Sequence, residues 1–292
     1  MKCPLCHAEP SGPLTVETQE SDSSRRCRAW RCGGCGLIYL DDYAADRSHI
    51  YGDDYTVWGR SSEPDEAIIG GSKRSAFREQ LNALRPHVEP EGKKLLDIGT
   101  GRGYLLDVAR EMGFDCHGLD ISAYAAGKAS AGFPGRIFRG RLEEAGYADA
   151  AFDVVTMTDF LEHISDPAGL MAEARRVLKP GGLLLIITPD TDSLTRKLLG
   201  CRWFQYKYEH VIYWNRRSLD QLLERFSLRP LLARNNIKRF SVAYYRHYFR
   251  KYSLLGPFSR LFLAVFPLLP VRMRNFYFGN PVTGEILLIA RK

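Results

Sequence analysis

The chain has 292 residues, 45% of them hydrophobic and 26% charged. That is enough apolar mass for a sizeable core, and too ordinary a charge content for a disordered polyelectrolyte. The formal net charge of +7 matters only where it is localised, and Met1-Lys2-Cys3-Pro4 carries no apolar stretch behind a basic one, so the expected compartment is the cytoplasm.

In that compartment the seven cysteines read as metal ligands and buried thiols rather than disulfides. Cys3-Pro4-Leu5-Cys6 and Cys32-Gly33-Gly34-Cys35 are two C-x-x-C pairs about 25 residues apart. Each pair is a tight turn that aims two thiolates at one ion, and four thiolates close a tetrahedral shell. The spacing predicts a structural zinc ribbon over residues 1–45, with Cys3, Cys6, Cys32 and Cys35 as ligands. Cys27 is a spare that could replace one of them. Cys116 and Cys201 are expected to be buried thiols.

Residues 46–90 read as a linker. Residues 60–75 are polar and glycine-rich and are expected to form a loop that doubles as a lid. Ser75 to Leu84 has the pattern of an amphipathic helix.

From Lys93 the pattern changes. Lys94-Leu95-Leu96-Asp97-Ile98 is a short apolar run that ends in Gly99-Thr100-Gly101-Arg102-Gly103. An amphipathic helix follows to Met112, and Cys116-His117-Gly118-Leu119 then leads as a second strand into Asp120. Strand, glycine loop, helix, strand, acid is a nucleotide-binding βαβ order. Glycines let backbone approach a ligand where the strand ends, and an acid after the next strand accepts hydrogen bonds from a ribose diol. The loop is G-x-G-x-G, with Tyr104 where a dinucleotide fingerprint needs its last glycine.

Leu96 to Gly103 resembles the first motif of class I S-adenosylmethionine-dependent methyltransferases, and His117 to Ser122 resembles their second. Phe152 to Thr156 is similar to their fourth strand, Leu161-Glu162-His163-Ile164-Ser165-Asp166-Pro167 to the segment after it, and Arg175 to Gly182 to the turn before the fifth strand. The resemblance covers roughly residues 93–190. The cysteine pairs with Tyr39 behind them resemble, more loosely, the ribbon that precedes this fold in some sugar and natural-product methyltransferases. The implied fold is doubly wound α/β with a seven-stranded sheet of order 3-2-1-4-5-7-6 and an antiparallel last strand, within a methyltransferase domain over residues 91–292. The implied cofactor is S-adenosylmethionine, held at Asp97, Gly99, Gly101, Asp120 and Ile121. Its adenine edge would lie near Leu142 and Glu143, with Thr158 at the fourth strand's end. Arg141 stands where many relatives carry an aspartate, which weakens that part of the match. Tyr51 and Tyr55 match tyrosines that close the cofactor pocket in relatives.

Methyl transfer needs a nucleophile aligned with a sulfonium methyl, and a hydroxyl or carbon acid needs a general base. His163 follows the fourth strand, where ligands bind in such sheets. His210 lies in Lys207-Tyr208-Glu209-His210-Val211, before the helix from Arg217 to Phe226. These two are the candidate bases; for each, a structural hydrogen bond is the competing role.

A strand near Leu228 to Ala233 and a final strand over Gly284 to Ala290 are expected, separated by a helical insertion at about 238–282. No Asp or Glu occurs between Glu224 and Glu285, while that stretch holds 11 Lys or Arg residues. Aromatics are interleaved from Phe240 to Tyr252. Leu254 to Val271 is apolar but broken by Pro257, Pro267 and Pro270, and carries Arg260, which argues against a transmembrane helix. The composition predicts contact with an anionic membrane surface or a phosphate-bearing, lipid-linked substrate; a helical cap over the active site is the competing reading. Methylation of the oxygen or carbon of a sugar, glycolipid or similar metabolite is the leading function. A nucleic-acid methyltransferase and a non-catalytic binding protein on the same fold are its rivals. Against the first of these, Thr158-Asp159-Phe160 stands where an extruded amino base would need an Asn-Pro-Pro-Tyr-like sequence.

Overall fold

A computed structural model describes the chain apart from residues 1, 20–23, 46, 48–49, 51–62, 252–255, 275 and 281–283. The N-terminal segment forms an antiparallel sheet of β1 (Pro10–Gln19), β2 (Ser24–Cys32) and β3 (Ile38–Leu40). Helix α1 (Glu63–Asn82) follows. It begins well before the expected Ser75, so residues 63–75, read from sequence as a loop, are helical. The misleading signal was Gly70-Gly71. These glycines save space rather than break the helix: a Cβ on Gly70 would lie 3.2 Å from the Tyr104 ring, and one on Gly71 3.1 Å from the Tyr277 hydroxyl.

The core alternates β4 (Lys94–Ile98), α2 (Tyr104–Glu111), β5 (Asp115–Asp120), α3 (Ala123–Gly132), β6 (Ile137–Arg139), β7 (Phe152–Thr158), α4 (Pro167–Val177) and β8 (Leu178–Pro189). Local signals set the helix starts. The Ser122 side chain accepts from the Ala125 N–H at 3.4 Å, and Asp166 from the Gly169 N–H at 3.0 Å with Pro167 behind it. The strands are near-continuous apolar runs because both sheet faces are covered. Successive residues go to opposite layers: Leu96, Leu184, Ile186 and Leu288 into one core, Leu95, Leu183, Leu185 and Leu287 into the other.

After β8 come α5 (Leu194–Leu199), β9 (Ile212–Tyr213), α6 (Arg216–Arg225) and β10 (Arg229–Asn235). The insertion is built of β11 (Lys238–Ser241), α7 (Val242–Lys251), α8 (Gly256–Val265), α9 (Val271–Arg274) and β12 (Tyr277–Asn280), and β13 (Glu285–Arg291) ends the chain. The main sheet runs β10-β13-β8-β7-β4-β5-β6, with only β13 antiparallel to its neighbours. Counted along the chain, that is the expected 3-2-1-4-5-7-6. Strands β11 and β12 pair with each other, and the Ser241 and Ser72 hydroxyls meet at 3.3 Å, joining the insertion to α1.

The sheet of the cysteine segment takes its fourth strand from beyond β8. β9 pairs with β3, Ile38 opposite Tyr213, and Arg225 donates to the Leu5 carbonyl at 3.0 Å. Cys116 is buried as expected, but Cys201 is exposed. It sits in a single surface turn after α5, where the short segment Gly200–Arg202 buries nothing. Among the described residues, no helix is long and apolar enough to cross a membrane.

Candidate active site

The loop between β4 and α2 turns with φ +78° at Gly99 and +55° at Gly101, a region that favours glycine. A Cβ on Gly99 would lie 2.3 Å from the Phe160 ring, whereas one on Gly101 would meet nothing within 4 Å. The first glycine is thus required by the protein's own packing, and the second presents bare backbone to open space. The N–H groups of Gly99 and Thr100 both donate to the Leu119 carbonyl at 2.9 Å, pinning the loop to the end of β5. Asp120 completes the clamp. Its Oδ2 accepts from the Gly101 N–H at 2.9 Å and its Oδ1 from the Ser122 N–H at 2.8 Å, and burial pushes its carboxyl above the usual range. Each oxygen keeps a second lone pair for a ligand hydroxyl.

Asp97 lies below the loop, 1% exposed, with the Thr156 hydroxyl donating to it at 2.6 Å. Burial pushes its carboxyl up from 3.8 to about 7. Between those two values the folded chain keeps a proton that the unfolded chain has lost, so stability falls as pH rises through that window and levels off above it. A shift of this size corresponds to on the order of 4 kcal/mol. Asp97→Asn, equal in shape and always neutral, is therefore expected to flatten that part of the stability–pH curve and to be more stable than wild type at pH 8. Chemical denaturation of both proteins from pH 4 to pH 8 reads this directly, and parallel curves would refute it.

Ile121, 38% exposed, follows Asp120, while Leu142 is buried and Glu143 exposed. Thr158 ends β7, half-buried. Tyr51 and Tyr55 lie outside the described residues.

At the same end of the sheet, the chain leaves β7 through Asp159 at φ +51° into one helical turn, Leu161–His163. The segment before β9 returns here because the Val211 N–H donates to the Glu162 carbonyl at 2.9 Å. That bond joins the two candidate bases: the His163 and His210 rings meet edge to face, with centroids 4.7 Å apart. Beside them stands Glu162, 1% exposed, its Oε2 accepting from the Thr188 hydroxyl at 2.9 Å. Burial pushes Glu162 up to about 8 and depresses both histidines, His210 further through His163. Burial thus favours the neutral, lone-pair-bearing form of both imidazoles. The sequence reading had not marked Glu162 as a site residue.

A charged network flanks this cluster. Lys238 donates to Glu285 at 2.7 Å and to Asp159 at 3.0 Å, and Gln205 and Asn236 also donate to Glu285. Burial pulls Lys73 down to about 7 against the attraction of Asp159. Lys238 thus differs from the surface charge that composition suggested.

The Sγ atoms of Cys3, Cys6, Cys32 and Cys35 all lie within 4.8 Å of one another. Cys3 and Cys35 are 3.6 Å apart, and Cys6 and Cys32 3.3 Å. The Gly34 and Cys35 N–H groups point at the Cys32 sulfur. Cys27 is not in the set; its sulfur lies against Thr18 on β1.

Residues 72–232, more than half the chain, match the methyltransferase domain family. A ubiquinone biosynthesis O-methyltransferase of Methylococcus capsulatus is 31% identical over 37% of this chain and 48% of its own. An uncharacterized methyltransferase of Mycobacterium tuberculosis is 35% identical over 35% of this chain and 42% of its own. The chain thus spans about half or less of the length of these curated relatives. The crystal structure of an S-adenosylmethionine-dependent methyltransferase from Archaeoglobus fulgidus, 18% identical, covers 82% of this chain and 100% of that one with a TM-score of 0.52, which bears on the fold alone. The glycine loop, the Asp120 clamp and the strand order occupy the matched segment or its sheet, and the chain belongs to the methyltransferase domain family, with the architecture of the S-adenosylmethionine-dependent methyltransferases.

Proposed function

We propose that the chain transfers a methyl group from S-adenosylmethionine to a hydroxyl of a small, lipid-linked acceptor such as a sugar or related metabolite. The observation that carries this reading is the Glu162, His163 and His210 cluster at the sheet end that also holds the glycine loop. Phe160, which touches Gly99, stands two residues before Glu162. When bound, S-adenosylmethionine supplies an electrophilic methyl. Asp120 would take the ribose hydroxyls, Gly101 would let the cofactor approach the backbone, and Ile121 and Leu142 would line the adenine side. An imidazole, foremost that of the half-buried His163, takes the acceptor's proton. With the proton removed, the acceptor oxygen would take the methyl that the sulfonium supplies, the electron pair of the broken S–CH3 bond staying on sulfur. That relatives are named O-methyltransferases supports oxygen as the acceptor atom.

The four clustered cysteines fit zinc. Their separations are near the roughly 3.8 Å that Zn–S bonds of about 2.3 Å impose on a tetrahedron. One zinc per chain is expected by elemental analysis. Cys32→Ser is expected to lose it and to lower the melting temperature of the whole protein, because Cys3, Cys32 and Cys35 share one core with Leu96 and Trp214. An unchanged zinc content in the variant would refute the assignment.

The insertion supports the lipid part of the reading. Leu261, Leu268, Val271 and Phe276 are exposed, Leu268 at 81%, on a stretch with cations and no acids. Arg246 and Arg274 stack on Phe266 beneath them. Apolar residues among arginines suit an anionic interface. The test uses methyl-labelled S-adenosylmethionine with lipid, nucleotide-sugar and nucleic-acid fractions of a cell extract. Label in the lipid fraction, absent with Asp120→Ala, is the expected outcome. Label confined to nucleic acid would overturn it.

A further inference from the structure

We propose that Glu162, His163 and His210 form a binding site for one divalent transition-metal ion, separate from the cysteine cluster, at the position of the acceptor oxygen. One ligand atom from each residue lies within 4.8 Å of the other two. The His210 Nδ1 faces the Gln205 carbonyl at 2.9 Å and the His163 Nδ1 faces the Glu209 carbonyl at 3.1 Å. A carbonyl can only accept, so each Nδ1 carries the proton and each Nε2 carries a lone pair. The His210 Nε2 points at the Glu162 Oε1 from 3.8 Å, too far for a hydrogen bond. A lone pair opposite a carboxylate oxygen, both almost fully buried, is an arrangement that a cation between them satisfies.

The surroundings have the form of a metal site. Metal-bound histidines characteristically donate their other nitrogen to a carbonyl, and ligating carboxylates are themselves hydrogen-bonded. All three groups here are held so, the third by Thr188. Two imidazoles and one carboxylate suit manganese, iron, cobalt or zinc better than magnesium or calcium. Three protein ligands leave coordination positions open, and His163 is the member that reaches the surface.

This inference rests on reading the cluster as the place where the acceptor is activated, and it specifies how. A metal-bound hydroxyl has a lowered pKa, so the ion would take over from the imidazole the task of making the acceptor oxygen nucleophilic, with the imidazoles as its ligands.

The test is a Co2+ titration of the full chain carrying one equivalent of zinc, which the four thiolates hold, followed by visible absorption. One Co2+ per chain with the d–d bands of nitrogen and oxygen ligation, and without a thiolate charge-transfer band, is expected. Glu162→Gln and His163→Ala should each weaken it at least about tenfold while S-adenosylhomocysteine affinity, the check on folding, stays as in wild type. Absence of Co2+ binding, thiolate bands only, or equal binding by wild type and both variants would overturn the metal site. If His163→Ala then still lost methyl transfer, the histidine would remain the base. Co2+ binding with no methyl transfer to any fraction would keep the site and overturn the proposed function.

Discussion

Lys238→Met is expected to destabilise the protein by about 3–5 kcal/mol, the cost typical of removing one partner from a buried ion pair. The Lys238 side chain is 12% exposed and Glu285 5%. Burial pushes the Asp159 carboxyl up, but Lys238 first, then Lys73 and Lys207, pull it down harder, and it stays ionised well below the usual carboxylate range. Without the lysine, the buried Glu285 side chain loses its ammonium partner, and Asp159, 27% exposed, keeps only Lys73 and Lys207 near it. Methionine fills the same volume, so a cavity contributes little. Lys238→Arg keeps the charge and should lose much less. The same contact has an architectural consequence. Lys238 opens β11, Asp159 follows β7 and Glu285 opens β13, so one ammonium ties the insertion to the carboxyl end of the sheet. Limited proteolysis of Lys238→Met should therefore cut within 238–282 faster than in wild type. Urea unfolding gives the energy, and a loss below about 1 kcal/mol, the range of surface pairs, would show that water screens the network.

The parts of the molecule legible in the sequence are those whose logic is local in the chain. Two C-x-x-C turns, a glycine loop between two strands and an acid 19 positions after Gly101 each state their geometry within a few residues. The resemblance they support extends to the strand order, which the sheet reproduces. Lys238 shows where local reading stops. In the sequence it is one of 11 cations in a run without acids. In the fold it is a buried counter-ion for carboxylates 79 and 47 positions away. Glu162 was hidden for a related reason: its neighbour His210 is brought to it by a backbone bond from Val211, which no spacing rule announces. The early start of α1 was masked by Gly70-Gly71, whose reason is contact with Tyr104 and Tyr277 rather than a turn. The β3–β9 pairing joins segments more than 170 residues apart and left no signature in either.

Asp120→Ala is expected to abolish measurable binding of S-adenosylhomocysteine, and the reason is double. Asp120 is the only residue whose side chain reaches both the Gly101 N–H and the Ser122 N–H in the described structure, at 2.9 and 2.8 Å. Removing it leaves the glycine loop tied to β5 only through the Gly99 and Thr100 N–H groups and deletes the acceptor proposed for the ribose hydroxyls at once. Charge-assisted hydrogen bonds of this kind contribute roughly 1.5–3 kcal/mol each. Losing two to the ligand weakens binding by about 10²- to 10⁴-fold, before any disorder of the loop. Asp120→Asn separates the contributions. It keeps one oxygen for a backbone N–H but turns an amide toward the other, so the loop is partly held while the diol loses a carboxylate. Affinity should then fall to between wild type and Asp120→Ala. Gly101→Ala supplies the complementary case: its Cβ would meet no atom of the described residues within 4 Å, so beyond the strain of a positive φ it would leave the unliganded fold in place, yet it would intrude on the space proposed for the cofactor. Calorimetric titration of the three variants, with melting curves alongside, orders them. If Asp120→Ala bound S-adenosylhomocysteine within a factor of about three of wild type, the cofactor would have to lie elsewhere than at the end of β5.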